Sequence, residues 1–445
     1  MLNRFGGLAA FVVLGITLLA GCAGTELGEA KPAPRRGSSF DTAAAVPNNP
    51  AMRGQLDGIW FWTIPTTRNG LVPTQSWSGA ASAPGGDVYV AGMDHSTNSA
   101  LYRLRGGILS YVGDAKSASA AAENWRAGET AQKFHVRPVW HNGRVYVATY
   151  GSSTLDATYL SLRGFHWYAY DGGIDRFIDL SAKQPGGTGV PHGGVIAQVV
   201  DPINGRIYAA IGPTGHLYRY DIASGEGTLL GRPDYGRDYV YAGRAMWLDR
   251  EGRLYFTAGN AELTYYGAPY DPAIFNHVYV YDPATGSFGE KKSWLLHDQR
   301  AIDAAQCLPS SAGEIVCFLA DNVGHIYKFE SLSSEQRWTY LGNIGQEARA
   351  PLGFTWVLHV FREREMIYLI TQTGKLFEFD LVTRQASLIG DLKALEPTLK
   401  DKMFFYGHDA RVDSRFYFSA FSRTGNALLV GIDPVRLKAA IAKTR

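Results

Sequence analysis

The sequence predicts an all-β fold, a seven-bladed β-propeller, from three observations. A strand pattern recurs seven times along the chain, with 47 to 62 residues between successive copies. Each copy is built from segments with the alternation of β-strands, and a four-stranded repeat of this length is typical of a propeller blade. The chain also contains 51 Gly and 25 Tyr, which is typical of aromatic strands joined by glycine turns.

The second and third strands of each predicted blade carry the clearest repeat. The second strand contains an apolar residue followed, in most copies, by Tyr, and the seven copies of this pattern are Asp87–Tyr89, Arg144–Tyr146, Arg206–Tyr208, Arg253–Tyr255, Glu314–Val316, Met366–Tyr368 and Arg415–Tyr417. The third strand has aromatic residues at every second position, and its copies are Leu101–Leu104, His166–Asp171, His216–Asp221, His277–Asp282, His325–Glu330 and Lys375–Asp380. Alternation with period two indicates half-buried strands.

The first strand of each blade is predicted from small apolar residues, which suit the axis where the blades converge. Examples are Val195–Val199, Gly243–Trp247 and Ala301–Ala305. The seventh copy has a first strand over 403–410 but no outer strand before Pro434, where a short helix-prone tail begins. We expect Ile59–Thr63 to supply that strand and close the ring, because an uncovered sheet edge invites aggregation.

The N-terminus is arranged like a secretory signal. Arg4 precedes an apolar stretch, Leu8–Ala20, which is shorter than the about 20 apolar residues of a transmembrane helix. The segment Leu19–Cys22 (Leu-Ala-Gly-Cys) resembles the lipobox of bacterial lipoproteins. That resemblance implies cleavage before Cys22 and its lipidation, and Ala23 in place of Asp favours the outer membrane, on its periplasmic side or surface. The alternative is an ordinary signal peptide with a chance cysteine.

We therefore divide the chain into a signal peptide at 1–21, a lipidated tether at 22–55 and a propeller at 56–445. Residues 22–55 are rich in Ala, Pro, Gly and Arg and lack apolar periodicity, so they bury too little surface to fold. The chain carries 43 Lys and Arg against 41 Asp and Glu. That balance predicts no nucleic-acid partner and no membrane contact beyond the lipid anchor. It says nothing about the oligomeric state.

Two further cysteines, Cys307 and Cys317, flank the turn Pro309–Gly313. They lie at similar distances from its centre, which brings them opposite each other across a hairpin. A disulfide and a pair of buried free thiols both fit that placement. Neither interpretation requires a catalytic cysteine.

One rim of the central channel gathers polar residues. In a propeller the first strand of every blade begins on one face, and the turn between the second and third strands returns to the same face. Starts of first strands bring to this rim His135, Arg137, His192, Tyr241, Arg244, Arg300, Asp303, Tyr406, His408 and Asp409. Starts of third strands add His166, His216, His277, His325 and Lys375. Seven of the 11 His lie at these two places, a concentration that favours a site here.

These histidines divide into two groups, with His192 set apart as a candidate substrate-binding residue. One group recurs at the same position of successive blades and consists of His216, His277 and His325. A repeated residue usually serves packing within the repeat, and we interpret this group so. The other group lies among other polar residues and consists of His135, His166 and His408. For these three, functional and structural roles are both open.

The residue types at this rim resemble those of the propeller polysaccharide lyases, such as the ulvan and oligogalacturonate lyases, which place His, Tyr and Arg at the propeller's mouth. The resemblance implies β-elimination of a uronate. In that reaction a cation neutralises the carboxylate, a base takes the ring proton and an acid protonates the leaving oxygen. A guanidinium suits the first role because it binds carboxylates bidentately.

On this hypothesis the roles fall to particular residues. Arg137 or Arg244 neutralises the carboxylate. The base is His135 or His166, the acid is Tyr241 or Tyr406, and His408 completes the catalytic set. Further contacts to the saccharide come from His192 and Arg300, with Trp167 or Trp140 as the stacking surface.

Two other classes of function stay open. One is a non-catalytic propeller, either a glycan-binding protein or an envelope assembly scaffold, with a dispensable rim and a binding patch elsewhere. The other is a small-molecule hydrolase or isomerase with a metal ion in the channel, whose ligands would come from separate blades because no tight His-x-His pair exists. We predict no cofactor, since Gly-rich phosphate loops, His-Glu-x-x-His and nucleophile elbows are missing.

Overall fold

Seven antiparallel sheets form in the order that the sequence repeat predicts, and each sheet is one blade. The computed structural model describes residues 49–150, 163–237, 240, 242–258, 271–275, 277–289, 302–309, 313–321, 323–333, 335–345, 355–405, 407, 410–422 and 424–444. These residues belong to one unit, Ala44–Arg445. The predicted signal peptide, Cys22 and the predicted tether up to residue 48 lie outside the described residues.

The chain runs outward through each blade from the channel, so strands that are neighbours in sequence pair with each other. Three strands precede the first blade: β1 (Asn49–Pro50), β2 (Met52–Arg53) and β3 (Ile59–Thr63). Blade 1 contains β4 (Ala81–Ser82), β5 (Val88–Met93), β6 (Ser99–Arg105) and β7 (Ile108–Asp114), and helix α1 (Ala115–Ala121) follows it. Blade 2 contains β8 (Lys133–Phe134), β9 (Val139–His141), β10 (Arg144–Tyr150), β11 (Trp167–Asp171) and β12 (Arg176–Asp179).

Blades 3 to 5 have four strands each. Blade 3 contains β13 (Gly194–Asp201), β14 (Arg206–Gly212), β15 (His216–Asp221) and β16 (Gly227–Gly231). Blade 4 contains β17 (Ala242–Leu248), β18 (Leu254–Ala258), helix α2 (Pro272–Phe275), β19 (Val278–Asp282) and β20 (Ser287–Phe288). Blade 5 contains β21 (Ile302–Pro309), β22 (Ile315–Asp321), β23 (His325–Ser331) and β24 (Gln336–Asn343).

The last two blades complete the ring. Blade 6 contains β25 (Thr355–Phe361), β26 (Met366–Thr371), β27 (Lys375–Asp380) and β28 (Ala386–Asp391), with helix α3 (Leu392–Leu395) after it. Blade 7 contains β29 (Met403–Phe405), β30 (Arg411–Val412), β31 (Arg415–Phe421) and β32 (Leu428–Ile432). Helix α4 (Pro434–Thr444) ends the chain and buries Leu437 and Ile441, as the helix-prone tail predicts. Of the predicted first strand of blade 7, residues 403–405, 407 and 410 are described, and Met403–Phe405 form β29.

The N-terminal strand closes the ring as expected. Strand β3 pairs antiparallel with β32 and becomes the outer strand of blade 7. Trp62 on β3 is 1% exposed, and Gly58 just before it has a φ of +100°, where a Cβ would lie 2.5 Å from the backbone N of Leu437. The chain can therefore pass position 58, just before β3, only with a glycine there. Residues 49–53, which the sequence places in the tether, form β1 and β2 and pair with β7 and β3.

Aromatic side chains fill the space between blades. Trp167 of blade 2 lies 5.7 Å from Tyr220 of blade 3, measured between ring centroids. Trp247 of blade 4 contacts Phe329 and Trp338 of blade 5 at 6.2 and 6.3 Å. Each ring of this size removes enough apolar surface from water to stabilise the fold by about 1.5–3 kcal/mol. The aromatic residues of the repeat thus pack neighbouring blades against each other.

Cys307 and Cys317 form a disulfide. They are direct partners across β21 and β22, and the S–S distance is 2.00 Å. Of the two interpretations open from the sequence, the bonded pair is the one observed. No helix in the described part of the chain is long and apolar enough to span a membrane.

The two faces of the propeller are defined here by strand direction. We call the face at which first strands begin the upper face, and the opposite one the lower face. Because the strands of a blade are antiparallel, the loop between β5 and β6 and helix α1 after β7 both lie at the upper face. The first strands β13, β17, β21 and β25 contact one another in succession and border the channel.

Candidate functional site

The structure describes six of the residues that the sequence proposes for the site. They are His135, Arg137, His166, Trp167, His192 and Arg244. The remaining predicted residues lie outside the described part of the chain, namely Cys22, Tyr241, Arg300, Tyr406 and His408. Only three of the six, His135, Arg137 and Arg244, line one common cavity.

His135 and Arg244 contact each other at the upper end of the channel. The Nη1 atom of Arg244 lies 3.2 Å from Nε2 of His135, and the two residues are 8% and 7% exposed. A guanidinium only donates hydrogen bonds, so Nε2 of His135 is the acceptor. The imidazole proton is therefore on Nδ1, and the lone pair of Nε2 is directed at the cation.

Lys133 adds a second cation next to this pair. Strand β8 pairs with β10 so that Lys133 lies opposite Tyr150, and its Nζ is 4.7 Å from the centroid of the Tyr150 ring. The same Nζ is 5.4 Å from the centroid of the Trp77 ring. Ammonium groups at such distances are attracted to the faces of aromatic rings. The ring contacts hold the Lys133 side chain in place near the rim.

Trp77 links this group of residues to blade 1. Its ring stacks on His135 at 6.3 Å and meets His95, from the loop between β5 and β6, at 5.8 Å. The His135 ring also lies 5.4 Å from that of Tyr150. We call Trp77, His95, Lys133, His135, Tyr150 and Arg244 the mouth cluster.

Both histidines of the mouth cluster are neutral at neutral pH. Burial, together with Arg244 and Lys133, holds the pKa of His135 well below its usual value. Burial and Lys133 lower the pKa of His95 to about 4. A neutral imidazole beside cations can accept a proton only when negative charge is brought to the same place. The cluster is therefore suited to an anionic ligand.

Arg137 lies below the mouth cluster and is positioned by blade 3. Nε2 of Gln198 donates to the backbone oxygens of Arg137 and Tyr146, at 2.8 and 3.0 Å. Oε1 of Gln198 is buried and has no hydrogen-bond partner among the described residues. Arg137, Gln198, His135 and Arg244 border a cavity of about 10 Å³. That volume holds one oxygen-sized group and excludes a sugar ring.

His166 belongs to a different, fully paired network. Its Nε2 lies 2.7 Å from Oε1 of Glu129, and its Nδ1 lies 3.0 Å from Oδ2 of Asp179. Burial lowers the pKa of His166, but hydrogen bonds with Asp179 and Glu129 outweigh it and raise the pKa above its usual value. Both ring nitrogens are occupied by carboxylates. In this arrangement His166 cannot be the base, so that part of the prediction is corrected.

The carboxylates around His166 are themselves held by neighbours. Oδ2 of Asp179 accepts from Ser119 Oγ at 2.7 Å and from Asn124 Nδ2 at 2.9 Å. Arg163 contacts Glu129 at 3.3 Å and donates to the backbone oxygen of Asn124. The network ties the connection after α1 to blade 2.

Three further predicted residues take no part in the mouth cluster. Trp167 is fully buried between blades 2 and 3, so it cannot be the stacking surface for a sugar. Trp140 is half-buried against the same core. His192 has a φ of +60° just before β13 and is half-buried at the upper face.

Four members of the mouth cluster were missed from the sequence. Lys133 lies two residues before His135, and period-two alternation puts both on one side of a strand, so this pattern was available. Trp77 and His95 come from blade 1, whose copy of the repeat is degenerate. Tyr150 ends the second strand of blade 2 and resembles the core tyrosines of other blades.

Within the described part of the chain, no group of three or more His, Cys, Asp or Glu residues is arranged to hold a metal ion. Histidines of the mouth cluster instead neighbour Arg244 and Lys133, whose charges repel a cation. This arrangement of cationic and neutral side chains favours an anionic ligand over a metal ion.

Comparisons with known proteins add little beyond the fold. No protein-family model matches the sequence, and no curated protein matches it. Among solved structures, one match is Raptor from Chaetomium thermophilum, at 10% sequence identity and a TM-score of 0.49. The match covers 86% of this chain and 29% of that chain.

Proposed function

We propose that this protein binds an anionic, uronate-containing polysaccharide at the upper rim of its channel and cleaves it by β-elimination. The observation that carries the proposal is the contact between His135 and Arg244 with Lys133 beside it. A uronate presents a carboxylate and, on the adjacent carbon, the proton that elimination removes. A neutral imidazole next to two cationic side chains matches both features.

The reaction follows from the hydrogen bond that Arg244 makes. When the substrate carboxylate accepts hydrogen bonds from the guanidinium of Arg244, the lone pair of His135 Nε2 is released. It can then take the proton from the ring carbon that bears the carboxylate. The electron pair of that C–H bond forms the ring double bond, and the bond from the next carbon to the glycosidic oxygen breaks. A tyrosine hydroxyl protonates the leaving oxygen, and Tyr241 and Tyr406 are the candidates from the sequence.

The rest of the saccharide is bound outside the small cavity. Because the cavity beside Gln198 admits one oxygen-sized group, the sugar ring lies over the rim with its carboxylate directed inward. Trp77, which is half-buried, takes the stacking role that the sequence assigned to Trp167.

Binding without cleavage is the second candidate function, and one observation favours it. His135 is 7% exposed, and its Nε2 already accepts from Arg244. If Arg244 stays on His135 when the saccharide binds, the base remains blocked. The mouth cluster then only recognises carboxylates, and the protein is a glycan-binding propeller of the envelope.

We also propose that the protein is exported and held at the envelope through lipidated Cys22. The sequence of the first 22 residues supports this location. The disulfide between Cys307 and Cys317 supports export as well, because disulfides persist in oxidising compartments. Mass spectrometry of the membrane-extracted protein tests it: we expect acyl groups on Cys22 and release from membranes in Cys22→Ser. An unmodified Cys22 contradicts the proposal.

Calorimetric titration of the purified full-length protein tests recognition at the rim. The probes are tetrasaccharides of galacturonate and of glucuronate, and the control is each tetrasaccharide with its carboxyls reduced to alcohols. We expect at least about tenfold weaker binding of the reduced sugars, as charge-assisted hydrogen bonds are lost. Equal binding of acidic and reduced sugars, or binding of neither, contradicts the proposal.

A further inference from the structure

A second cavity lies at the lower end of the channel, where the first strands of blades 3, 4 and 5 end. Its volume is about 330 Å³. The residues that border it come from blades 2 to 5 and are Arg137, Val199, Val200, Pro202, Met246, Trp247, Leu248, Ala305, Cys307, Pro309 and Ile315. The mouth cluster takes no part in it.

The walls of this lower cavity are apolar except at one point. Val199, Val200 and Ile315 are half-buried, so their side chains are partly accessible where they face the cavity. Arg137 is the one charged residue among the described residues that border it. Small-molecule sites commonly have this composition, with about 300–1,000 Å³ of mostly apolar space and a few polar groups that orient the ligand.

We propose that the lower cavity binds a small organic acid, with its carboxylate on Arg137 and its apolar body against the side chains of blades 3 to 5. A guanidinium has five N–H donors, so Arg137 can bind a carboxylate and keep its other contacts. The surrounding apolar side chains lower the local dielectric and strengthen the attraction between cation and anion. A neutral apolar ligand gains nothing from the guanidinium.

The backbone at Arg137 is held in place by blade 3. Its backbone oxygen accepts from Gln198 Nε2 at 2.8 Å, and Gln198 is itself 5% exposed. On the other side of the cavity, Cys307 is tied to Cys317 by the disulfide. Two walls of the cavity are thus fixed before a ligand arrives, which reduces the entropy that binding costs.

The volume selects a small molecule. A cavity of this size suits a small molecule, whereas a folded partner could not enter it. The two cavities share Arg137 and Met246, but Val200 is among the residues that border only the lower one, so a change at Val200 tests the lower cavity separately from the proposed polysaccharide site.

Calorimetric titration of the full-length protein with 3-phenylpropionate tests the inference, and 3-phenylpropanol serves as the uncharged probe of the same shape. We expect the acid to bind at least tenfold more tightly than the alcohol. Arg137→Met should remove that tenfold preference. The matched control is Arg337→Met, since Arg337 is an exposed arginine of β24, and it should leave the preference unchanged.

A second variant keeps the test decisive if Arg137→Met does not fold. Val200→Phe fills the cavity without changing its charge, so it should abolish binding of both probes. Equal affinity for acid and alcohol, no binding of the acid, or unchanged binding in Val200→Phe overturns the inference.

Discussion

The guanidinium of Arg244 lies 3.2 Å from the imidazole of His135, although 109 residues separate them in the sequence. They start on blades 4 and 2, and blade 3 stands between them in the ring. The contact therefore spans the upper channel above Gln198. In this contact the guanidinium of Arg244 donates to Nε2 of His135, which is the nitrogen that accepts the proton in the proposed reaction.

Replacing Arg244 tests its role as the carboxylate ligand. We expect Arg244→Gln to weaken binding of a galacturonate tetrasaccharide by about 10- to 100-fold, because a charged hydrogen bond contributes about 1.5–3 kcal/mol. Arg244→Lys keeps the charge but loses the bidentate geometry, so its affinity should lie between those of the wild type and Arg244→Gln. Titration calorimetry measures all three. Unchanged affinity in Arg244→Gln shows that the carboxylate binds elsewhere.

The pH dependence of cleavage tests His135 as the base. The pKa of His135 lies well below its usual value because of burial, Arg244 and Lys133, so the imidazole stays unprotonated when the pH falls past 6.5. We expect kcat/KM to stay flat from pH 8 to below pH 6. A base with the ordinary histidine pKa of about 6.5 would lose activity within this range. An acid limb with a midpoint near 6.5 assigns the base to another group.

His359 of blade 6 tests how buried histidines affect acid stability. Burial lowers its pKa to about 3, and its ring stacks on Phe416 at 4.7 Å. Between pH 6.5 and 3 the unfolded chain binds a proton at this residue that the folded protein excludes. Stability is therefore lost as the pH falls below 6.5, by about 2 kcal/mol at pH 5.

The variant His359→Leu removes that linkage. We expect its free energy of unfolding to drop less than the wild type's between pH 8 and pH 5, by the same about 2 kcal/mol. Urea denaturation at both pH values measures the difference. Identical drops in the two proteins mean that His359 titrates normally in the folded state.

The contribution of His166 to stability depends on pH in the opposite direction from that of His359. Its pKa is raised in the folded protein, so its contribution is complete below pH 6.5 and is lost as the pH rises through the folded pKa. His166→Phe removes one hydrogen-bond partner from each of the carboxylates of Glu129 and Asp179, and it should cost at least about 1.5–3 kcal/mol at pH 6, the contribution of one hydrogen bond to a charged group. Urea denaturation measures it.

A control for this experiment is Arg337→Ala, which breaks an exposed ion pair with Glu335. It should change stability by less than about 1 kcal/mol. If His166→Phe is no more destabilised than this control, the His166 network is not structural, and His166 returns as a candidate base.

The fold was predictable because the repeat is built from local patterns. Alternating aromatics, glycine turns and the recurrent Tyr identify each blade without its neighbours, and the missing outer strand of blade 7 pointed to Ile59–Thr63. Where a copy is degenerate, as in blade 1, the prediction lost Trp77 and His95. A residue can be assigned to its position in a blade only where that copy of the repeat keeps the pattern.

The candidate site was predictable by position and less so by surroundings. The starts of first strands correctly brought His135 and Arg244 to one rim, because propeller geometry fixes that end of each blade. His166 has an equivalent position but a different environment, since Glu129 and Asn124 come from the irregular connection after α1. That connection has no counterpart in the repeat, so nothing in the pattern announced two carboxylates on one imidazole.

The most direct test of the account is the ultraviolet absorbance of unsaturated uronate when the full-length protein is incubated with a panel of uronate-containing polysaccharides. We predict that absorbance rises with the wild type and that His135→Gln lowers the rate by at least about 100-fold, as expected for loss of a positioned base. Binding without any rise assigns the mouth cluster to recognition alone and contradicts the cleavage step. Absence of both binding and absorbance, or an equal rate in His135→Gln, contradicts the central claim.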